Sequence, residues 1–408
     1  MKRTPMAQHA PNRTPTAWAT LLRLLGIGLA VVTVSAVAVA GYVVVDLTQR
    51  AGADAVKLEA APTVPPPSLG EFEGPFSMLL IGTDECGEVS KQVLGERCRR
   101  EDGILNDINL LVHVSAAPRH VTVVSLPRDL MLKVPDCRRE DGSTASGMRK
   151  APINTVYSHA GLSCVAKTVS ELSGMDIGFA AKLSFDGVMK ITDAIGGVEV
   201  CIGPKGLHDK KYTGIDWPPG PRTIKGLEAL QFIRVRHGIG NNSDLSRISN
   251  QQQYMSRLAR TILSSETLTD VPKMLRLAST IVDNVQASDE LADPVRLAQL
   301  ALTMKGVRYD DFLFLQLPTL DDPDAPTRRV VENTDAAKPM WEAIRTGGSM
   351  QITGAASNGG SATVETPATP PPSTDPSPTP SSTPPDTTVL PSEITGIDLN
   401  QQTCTGSH

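Results

Sequence analysis

Between Phe76 and Gly347 the sequence alternates short apolar runs with stretches in which apolar residues recur at helical spacing. The runs are rich in β-branched residues and bounded by turn residues, which is typical of buried strands. They include residues 76–84, 107–115, 120–134, 198–202 and 311–317, and the helical stretches include residues 163–174, 185–197, 245–263, 271–307 and 335–347. This alternation predicts an α/β fold, a three-layer α-β-α arrangement with a central mixed β-sheet.

The N-terminal region has the pattern of a membrane anchor. Residues 24–45, "LLGIGLAVVTVSAVAVAGYVVV", carry no charge and are numerous enough for a transmembrane helix. Basic residues without acids precede them, so residues 1–23 are predicted to be cytoplasmic. A cleaved signal peptide is the alternative, because "AVA" at 38–40 resembles a cleavage site. The apolar run continues to Val45, which favours the anchor, and both interpretations place the rest of the chain outside the cytoplasm.

Composition divides the remaining chain. Residues 46–75 contain "PTVPPPSLG" and are predicted to be a Pro-rich extracellular linker. Residues 348–408 are rich in Ser, Thr and Pro and are predicted to be a disordered tail. The functional domain is therefore expected at 76–347. The formal net charge of -5 over 408 residues gives no basic footprint for nucleic acid.

The chain has six cysteines, with no C-x-x-C pair. In an exported domain an even number predicts disulfides, although fifteen pairings are open. Loop position favours Cys86 with Cys98 and Cys137 with Cys164, and leaves open whether Cys404 pairs with Cys201. A catalytic thiol is disfavoured, because no histidine neighbour or helix start accompanies any of the cysteines.

Two aspartates mark the ends of neighbouring predicted strands. Asp84 ends the run "LLIGTD" and Asp107 begins the run "DINLLVHVS". If the strands pair, both carboxylates meet at one edge of the sheet, where open α/β sheets bind ligands. Two hard oxygen ligands suit Mg²⁺ or another divalent cation, which takes its other ligands from water and phosphate. Ordinary turn aspartates are the alternative interpretation.

Arginines follow in two further motifs. In "SLPRD" (125–129), Pro127 ends the strand and exposes Arg128 and Asp129. In "FIRVR" (232–236), we expect Arg234 and Arg236 on one face of a strand, where an anion would relieve their repulsion. On the following predicted helix, Arg247 and Gln251 share a polar face with Tyr254. Each could be a surface charge, but together they predict a phosphate site, whereas His237 is interpreted as a solvated bystander.

These stretches, in this order, resemble the LytR-CpsA-Psr family of cell-envelope glycopolymer ligases, and the overall composition resembles that of an actinobacterial member. The resemblance covers most of residues 76–254. The motifs that carry it are "MLLIGTD", "NDINLLVHV", "VTVVSLPRDLMLKVP", "INTVYSHAGLSCVAKTVSELSGMDI", "FDGVMKITDAIGGVEVCI", "GLEALQFIRVRHG" and "SDLSRISNQQQ".

The resemblance implies a membrane-anchored phosphotransferase that moves a glycopolymer with its phosphate from a polyprenyl-pyrophosphate carrier to peptidoglycan. It implies metal ligation by Asp84 and Asp107. It implies pyrophosphate binding by Arg128, Arg234, Arg236, Arg247 and Gln251. Catalytic roles fall to Arg128, Asp129 and Asp244, with the two acids orienting the arginines or, for Asp244, acting as a base.

Two departures from the family pattern stand out. Leu105 replaces an arginine that many members carry before the aspartate at 107, and Asn250 replaces one before the paired glutamines. Fewer cations would then contact the phosphates. A pyrophosphatase acting on the same lipid donor and a non-catalytic protein that binds lipid carriers or the wall are the alternative functions. The sequence does not indicate the glycopolymer, the acceptor hydroxyl or the oligomeric state.

Overall fold

A computed structural model describes residues 17–59, 61–68, 70–98, 103–357, 362–364 and 387–406. Its α-helices are α1 Ala17–Ala53, α2 Glu88–Leu94, α3 Val156–Ser173, α4 Phe185–Ala194, α5 Gly226–Arg234, α6 Asp244–Leu263, α7 Ser265–Thr269, α8 Val271–Asn284, α9 Asp289–Ala292, α10 Pro294–Lys305 and α11 Thr334–Thr346. Its longer strands and short bridging strands are, in chain order, β1 Phe76–Thr83, β2 Asn106–Val114, β3 Val121–Leu126, β4 Met131–Val134, β5 Cys137–Arg138, β6 Thr144–Ala145, β7 Met148–Pro152, β8 Phe179–Leu183, β9 Val198–Ile202, β10 Leu207–Asp209, β11 Ile215–Trp217, β12 Gly220–Ile224, β13 Val285–Ala287, β14 Phe312–Gln316, β15 Thr319–Asp321, β16 Val330–Glu332, β17 Met350–Gln351, β18 Ala362–Val364, β19 Thr388–Val389, β20 Gly396–Asp398 and β21 Thr403–Thr405.

The chain separates into two compact units, one ending at Gln49 and the other beginning at Arg50. In the first unit, helix α1 exposes large apolar side chains such as Leu24, Leu29 and Val34. Across the described part of the chain, no helix combines the length and the apolar character needed to span a bilayer. The anchor at 24–45 stays a prediction.

The second unit is built on a seven-stranded sheet in the order β13-β8-β1-β2-β3-β14-β20. Strand β1 pairs parallel with β8 and antiparallel with β2, and β3 pairs parallel with β14. The sheet is therefore mixed, as predicted. Most of the apolar runs in the sequence became its strands, because they are buried on both faces and long enough only for strands.

Helices cover both faces of this sheet. On β1, Leu79 and Ile81 pack into one core with residues of α3 and α11, such as Val165 and Met340. The alternate residues of β1 belong to a second core with α9 and α10. Because successive side chains of a strand point to opposite faces, a strand that is apolar throughout needs two such layers. The predicted three-layer arrangement is confirmed.

The C-terminal segment corrects the prediction of a disordered tail over 348–408. Strand β20 pairs with β14 at the edge of the central sheet, and β21 lies between β9 and β18 in a second sheet. Ile397 and Leu399 are almost completely buried. The high Ser, Thr and Pro content of the region as a whole masked these few apolar residues, which bury enough surface to order their segment. Residues 365–386, the most Pro-rich stretch, lie outside the described residues.

The linker at 46–75 is also less independent than predicted. Residues 46–53 continue helix α1. The backbone N–H of Phe72 donates to Thr303 Oγ1 at 2.7 Å. The ring of Phe72 is buried and packs edge-on against the rings of Phe76 and Phe179. A bridge between Val56 and Ser288 fixes the other end. Val56 and Phe72 are therefore part of the packed domain, the first in the core with α3 and α11 and the second in the core with α9 and α10.

The cysteine pairing agrees with the prediction where one was made. Disulfides join Cys86 to Cys98 and Cys137 to Cys164. A third joins Cys201 on β9 to Cys404 on β21, which answers the pairing that the sequence left open. It links the C-terminal strand to a segment 203 residues earlier in the chain.

The predicted strand at 232–236 is wrong. Helix α5 continues to Arg234, Val235 leaves the helical conformation, and Arg236 lies in the loop that follows. The β-branched residues Ile233 and Val235 suggested a strand. Leu230 and Ile233 instead share one helical face that is buried in the core formed with α4 and α6, so packing overrides the local preference.

Candidate active site

A cleft of about 150 Å³ opens where β1 ends and β2 begins. Side chains from six segments meet in it, although they are far apart in sequence. Its lining consists of Gly82, Thr83, Asp84, Asp107, Ile108, Arg128, Leu183, Ser184, Phe185, Val188, Ile233, Arg234, Arg247 and Gln251. The structure therefore brings together six of the nine predicted site residues, and the acidic pair lies at one sheet edge as expected.

A β-bulge places Asp107 in the cleft. Gly82 pairs with Ile108 and Thr83 pairs with Asn106, so Asp107 has no partner across the ladder. Bulges redirect a side chain in this way, and they are common next to active sites. Asp84 lies beside it, where Asp84 Oδ1 accepts a 2.7 Å hydrogen bond from the backbone N–H of Leu105. Leu105 thus orients Asp84 through its main chain, which any residue except proline could do at this position.

Arg128 lies at the centre of a charged cluster. Its Nη1 is 3.3 Å from Asp107 Oδ1, and its Nε is 3.3 Å from Asp244 Oδ1 and 3.5 Å from Asp129 Oδ2. Burial alone lowers the pKa of Arg128, but the attraction of these three carboxylates outweighs burial and the pKa is raised. Arg128 is consequently a fixed positive charge with a preset orientation.

Helix α6 supplies the second arginine of the cluster. Its first turn is capped by Ser243, whose Oγ accepts from the N–H of Ser246. Asp244 in that turn lies 2.8 Å from Arg247 Nη2. Burial lowers the pKa of Arg247, and Asp244 opposes this effect. Asp244 does not line the cleft itself, and it forms ion pairs with both Arg128 and Arg247.

Several buried polar atoms around the cleft have no hydrogen-bond partner. They are Thr83 Oγ1, Arg128 Nε, Arg247 Nε, Arg247 Nη2 and both oxygens of Asp244. The ion pairs of Arg247 and Arg128 with Asp244 have suitable distances but poor hydrogen-bond angles. Unsatisfied buried groups are costly, and in a native protein they point to a ligand or ordered water that completes them.

The remaining predicted phosphate ligands divide into two groups. Arg234 lines the cleft, and its guanidinium carbon lies 5.0 Å from the ring centroid of Phe185. Gln251 also lines the cleft, but its amide donates to the carbonyl of Ile233 at 3.0 Å. Arg236 is exposed outside the cleft, and its Nε donates to the carbonyl of Asn242. The strand that should have aligned Arg236 with Arg234 is a helix followed by a loop, so the two side chains diverge.

Asn250, the second departure, has a structural role. It is fully buried, and its Nδ2 donates to the carbonyl of Phe232 at 2.7 Å. Its Oδ1 accepts from Thr405 Oγ1 at 3.1 Å. Gln253 contacts the same threonine. Asn250 and Gln253 therefore tie helix α6 to the C-terminal strand instead of facing the cleft.

Two residues of the site were missed in the sequence. Thr83 contributes a buried hydroxyl beside Asp84, and its position before the aspartate was a signal that could have been used. Arg329 forms an ion pair with Asp129 from a loop that lies 200 positions away. No local pattern indicates Arg329. His237, predicted to be a bystander, stacks on Tyr212 and lies outside the cleft lining.

Comparison with known proteins identifies the family of this chain. The model of the LytR_cpsA_psr family matches residues 41–344, and the chain belongs to this family. It is 28% identical over 306 residues to "Cell wall biosynthesis protein LcpA" of Corynebacterium glutamicum, an alignment covering 70% of this chain and 56% of the relative. It is 25% identical over 224 residues to "Polyisoprenyl-teichoic acid--peptidoglycan teichoic acid transferase TagU" of Enterococcus faecalis, covering 55% of this chain and 65% of the relative.

Among solved structures, the protein gbs0355 of Streptococcus agalactiae superposes with a TM-score of 0.52 at 19% identity. The superposition covers 67% of this chain and 88% of that structure, and it supports the fold. The chain spans about half the length of the first curated relatives that it matches.

Proposed function

We propose that this protein is a phosphotransferase that moves a glycopolymer, with its phosphate, from a polyprenyl-pyrophosphate carrier to a hydroxyl of peptidoglycan. The observation that carries the proposal is the cleft in which Arg128, Arg234 and Arg247 face one space together with Asp84 and Asp107. Relatives named as a cell wall biosynthesis protein and a teichoic acid transferase support it.

In this reaction the acceptor hydroxyl oxygen attacks the phosphorus that carries the glycopolymer. The bond from that phosphorus to the bridging oxygen breaks, polyprenyl monophosphate leaves, and the hydroxyl proton passes to solvent. The chemistry requires positioning and charge neutralisation more than a protein nucleophile. Arginines with a planar fork suit the phosphate oxygens, and Asp107 and Asp244 preset the direction in which Arg128 points.

The donor set fits a divalent cation. Asp84 and Asp107 line the cleft together, and the orphaned hydroxyl of Thr83 adds a third hard oxygen. The described residues contain no group of three or more His, Cys, Asp or Glu side chains arranged for a metal ion. Mg²⁺ accepts so few protein ligands, because water and substrate phosphates complete its octahedron. When bound, it would offset charge on the phosphates.

We also propose that residues 24–45 anchor the protein in the cytoplasmic membrane, with the N-terminus in the cytoplasm and the second unit outside. The run is uncharged, basic residues precede it, and the proposed donor is itself a lipid. Alkaline extraction of cell membranes tests this, because an anchored chain stays in the membrane pellet. Release into the supernatant would contradict it.

The function is tested by incubating the full chain with a radiolabelled, polyprenyl-pyrophosphate-linked glycopolymer, with and without peptidoglycan. We expect label in peptidoglycan, and release of polyprenyl monophosphate only when the acceptor is present. Arg128→Lys keeps the charge but loses the planar fork, so it should transfer at least about tenfold more slowly. Monophosphate release without acceptor would instead indicate a pyrophosphatase, and binding without turnover would indicate a carrier protein.

A further inference from the structure

The loop between β15 and β16 brings an arginine to the back of the active site. Its two ends are joined by a 2.9 Å hydrogen bond from the backbone N–H of Asp322 to the carbonyl of Arg329. Lys150 pairs with the buried carboxylate of Asp322 at 2.6 Å, which attaches the loop to the domain. Thr327 has a φ of 69°, a left-handed conformation that a threonine adopts only when its surroundings require it. The loop is therefore shaped and held in place.

Arg329 meets the "PRD" motif through both main chain and side chain. The backbone N–H of Val330 donates to the carbonyl of Asp129 at 3.2 Å, and Leu130 forms a β-bridge with Val330. The Nη1 of Arg329 contacts Asp129 Oδ1. The other oxygen of Asp129 is 3.5 Å from Arg128 Nε. Asp129 is thus shared between a cleft arginine and an arginine outside the cleft.

The charges of this cluster balance only when Arg329 is counted. Three carboxylates, Asp107, Asp129 and Asp244, surround Arg128 and Arg247. Two cations against three anions leave one negative charge in excess at a cleft that must receive an anion. Arg329 supplies the third cation. Its side chain is only 35% exposed and that of Asp129 19%, so solvent screens the pair incompletely.

We infer that Arg329 is a positioning residue of the active site, which neutralises Asp129 and so keeps Arg128 directed at the bound pyrophosphate. Without Arg329, Asp129 attracts Arg128 more strongly, and its charge repels the incoming phosphates. This inference rests on the proposed function, because it assigns a role toward the same pyrophosphate. It concerns a residue that does not touch the cleft itself.

The test measures binding of inorganic pyrophosphate to the full chain by isothermal titration calorimetry, together with KM and kcat for transfer. Arg329→Gln should weaken pyrophosphate binding roughly tenfold and raise KM more than it lowers kcat, since one charge near the phosphates is lost. Arg329→Lys should recover most of the binding. The neighbouring, exposed Arg328 provides the matched control, and Arg328→Gln should bind as the wild type does.

A double variant separates positioning from folding. Adding Asp129→Asn to Arg329→Gln removes the uncompensated charge, so the double variant should bind pyrophosphate more tightly than Arg329→Gln alone. If Arg329→Gln binds as well as Arg328→Gln, or if Asp129→Asn recovers nothing, the inference is overturned while the proposed function stands. If the wild type itself does not bind pyrophosphate, the proposed function is overturned and the inference with it.

Discussion

Replacing Asp244 by Asn tests whether the buried charges of the cluster behave as the geometry requires. The substitution keeps the shape of the side chain and removes its charge. Asp244 lies 2.8 Å from Arg247, and the two side chains are only 15% and 9% exposed. A buried arginine that loses its nearest carboxylate keeps its desolvation cost without the compensating attraction.

The magnitude follows from this burial. Breaking a buried ion pair by removing one partner costs about 3–5 kcal/mol. Two features reduce the loss here, because the polar amide oxygen of Asn still attracts the guanidinium and because Asp107 and Asp129 still attract Arg247. We therefore expect Asp244→Asn to lower the free energy of unfolding by about 2–3 kcal/mol, and the melting temperature by about 5 °C.

A matched control exists in helix α2. Glu88 occupies the first turn there, as Asp244 does in α6, and pairs with Lys91 three residues later at 3.1 Å. This pair differs mainly in burial, since its side chains are 89% and 57% exposed. Glu88→Gln should leave stability unchanged within error, because exposed ion pairs contribute little.

Urea unfolding followed by circular dichroism, together with calorimetry, measures both variants. Asp244→Asn should also transfer glycopolymer more slowly, because Arg128 and Arg247 lose the carboxylate that orients them. It should bind inorganic pyrophosphate no more weakly than the wild type, because the substitution removes a negative charge behind the site. Equal stability losses in Asp244→Asn and Glu88→Gln would refute the argument from burial.

Three further predictions follow from the same structure. Arg234→Ala should lower the rate of glycopolymer transfer at least about tenfold, whereas Arg236→Ala should have a much smaller effect, because Arg234 lines the cleft and Arg236 does not. Transfer assays with the labelled donor distinguish the two variants, and equal losses of rate would contradict this placement. Burial lowers the pKa of His113 to about 4 from 6.5, so between these pH values the unfolded chain binds more protons than the folded chain. The free energy of unfolding should therefore fall by about 3 kcal/mol as the pH falls through this window. Unfolding titrations from pH 7 to 4 should show this loss in the wild type and a smaller one in His113→Gln. Truncation after Gly347 should give an unstable or insoluble chain, because it removes the buried Ile397 and Leu399 and the disulfide partner of Cys201. A truncated protein with an unchanged melting temperature would contradict this prediction.

Local patterns predicted the parts of the site that lie on regular elements. Asp84 and Asp107 follow from strands that pair, and Arg247 and Gln251 follow from a capped helix with a polar face. Arg236 was placed on a strand wrongly, because "FIRVR" is compatible with both a strand and a helix. Its β-branched residues favour a strand, and the choice depends on burial of Leu230 and Ile233 against other helices.

By itself, the sequence determined the α/β class, the order of most strands and helices, and the residue types of a phosphate site, because periodicity and capping are local properties. The tertiary structure alone decided which charges meet. It brought Arg329 to Asp129 across 200 positions, inserted the C-terminal strand beside β9, and directed Asn250 and Gln253 toward that strand. These contacts depend on loops and distant segments whose positions follow from packing and from burial of charge, and neither is encoded in any short stretch of the chain.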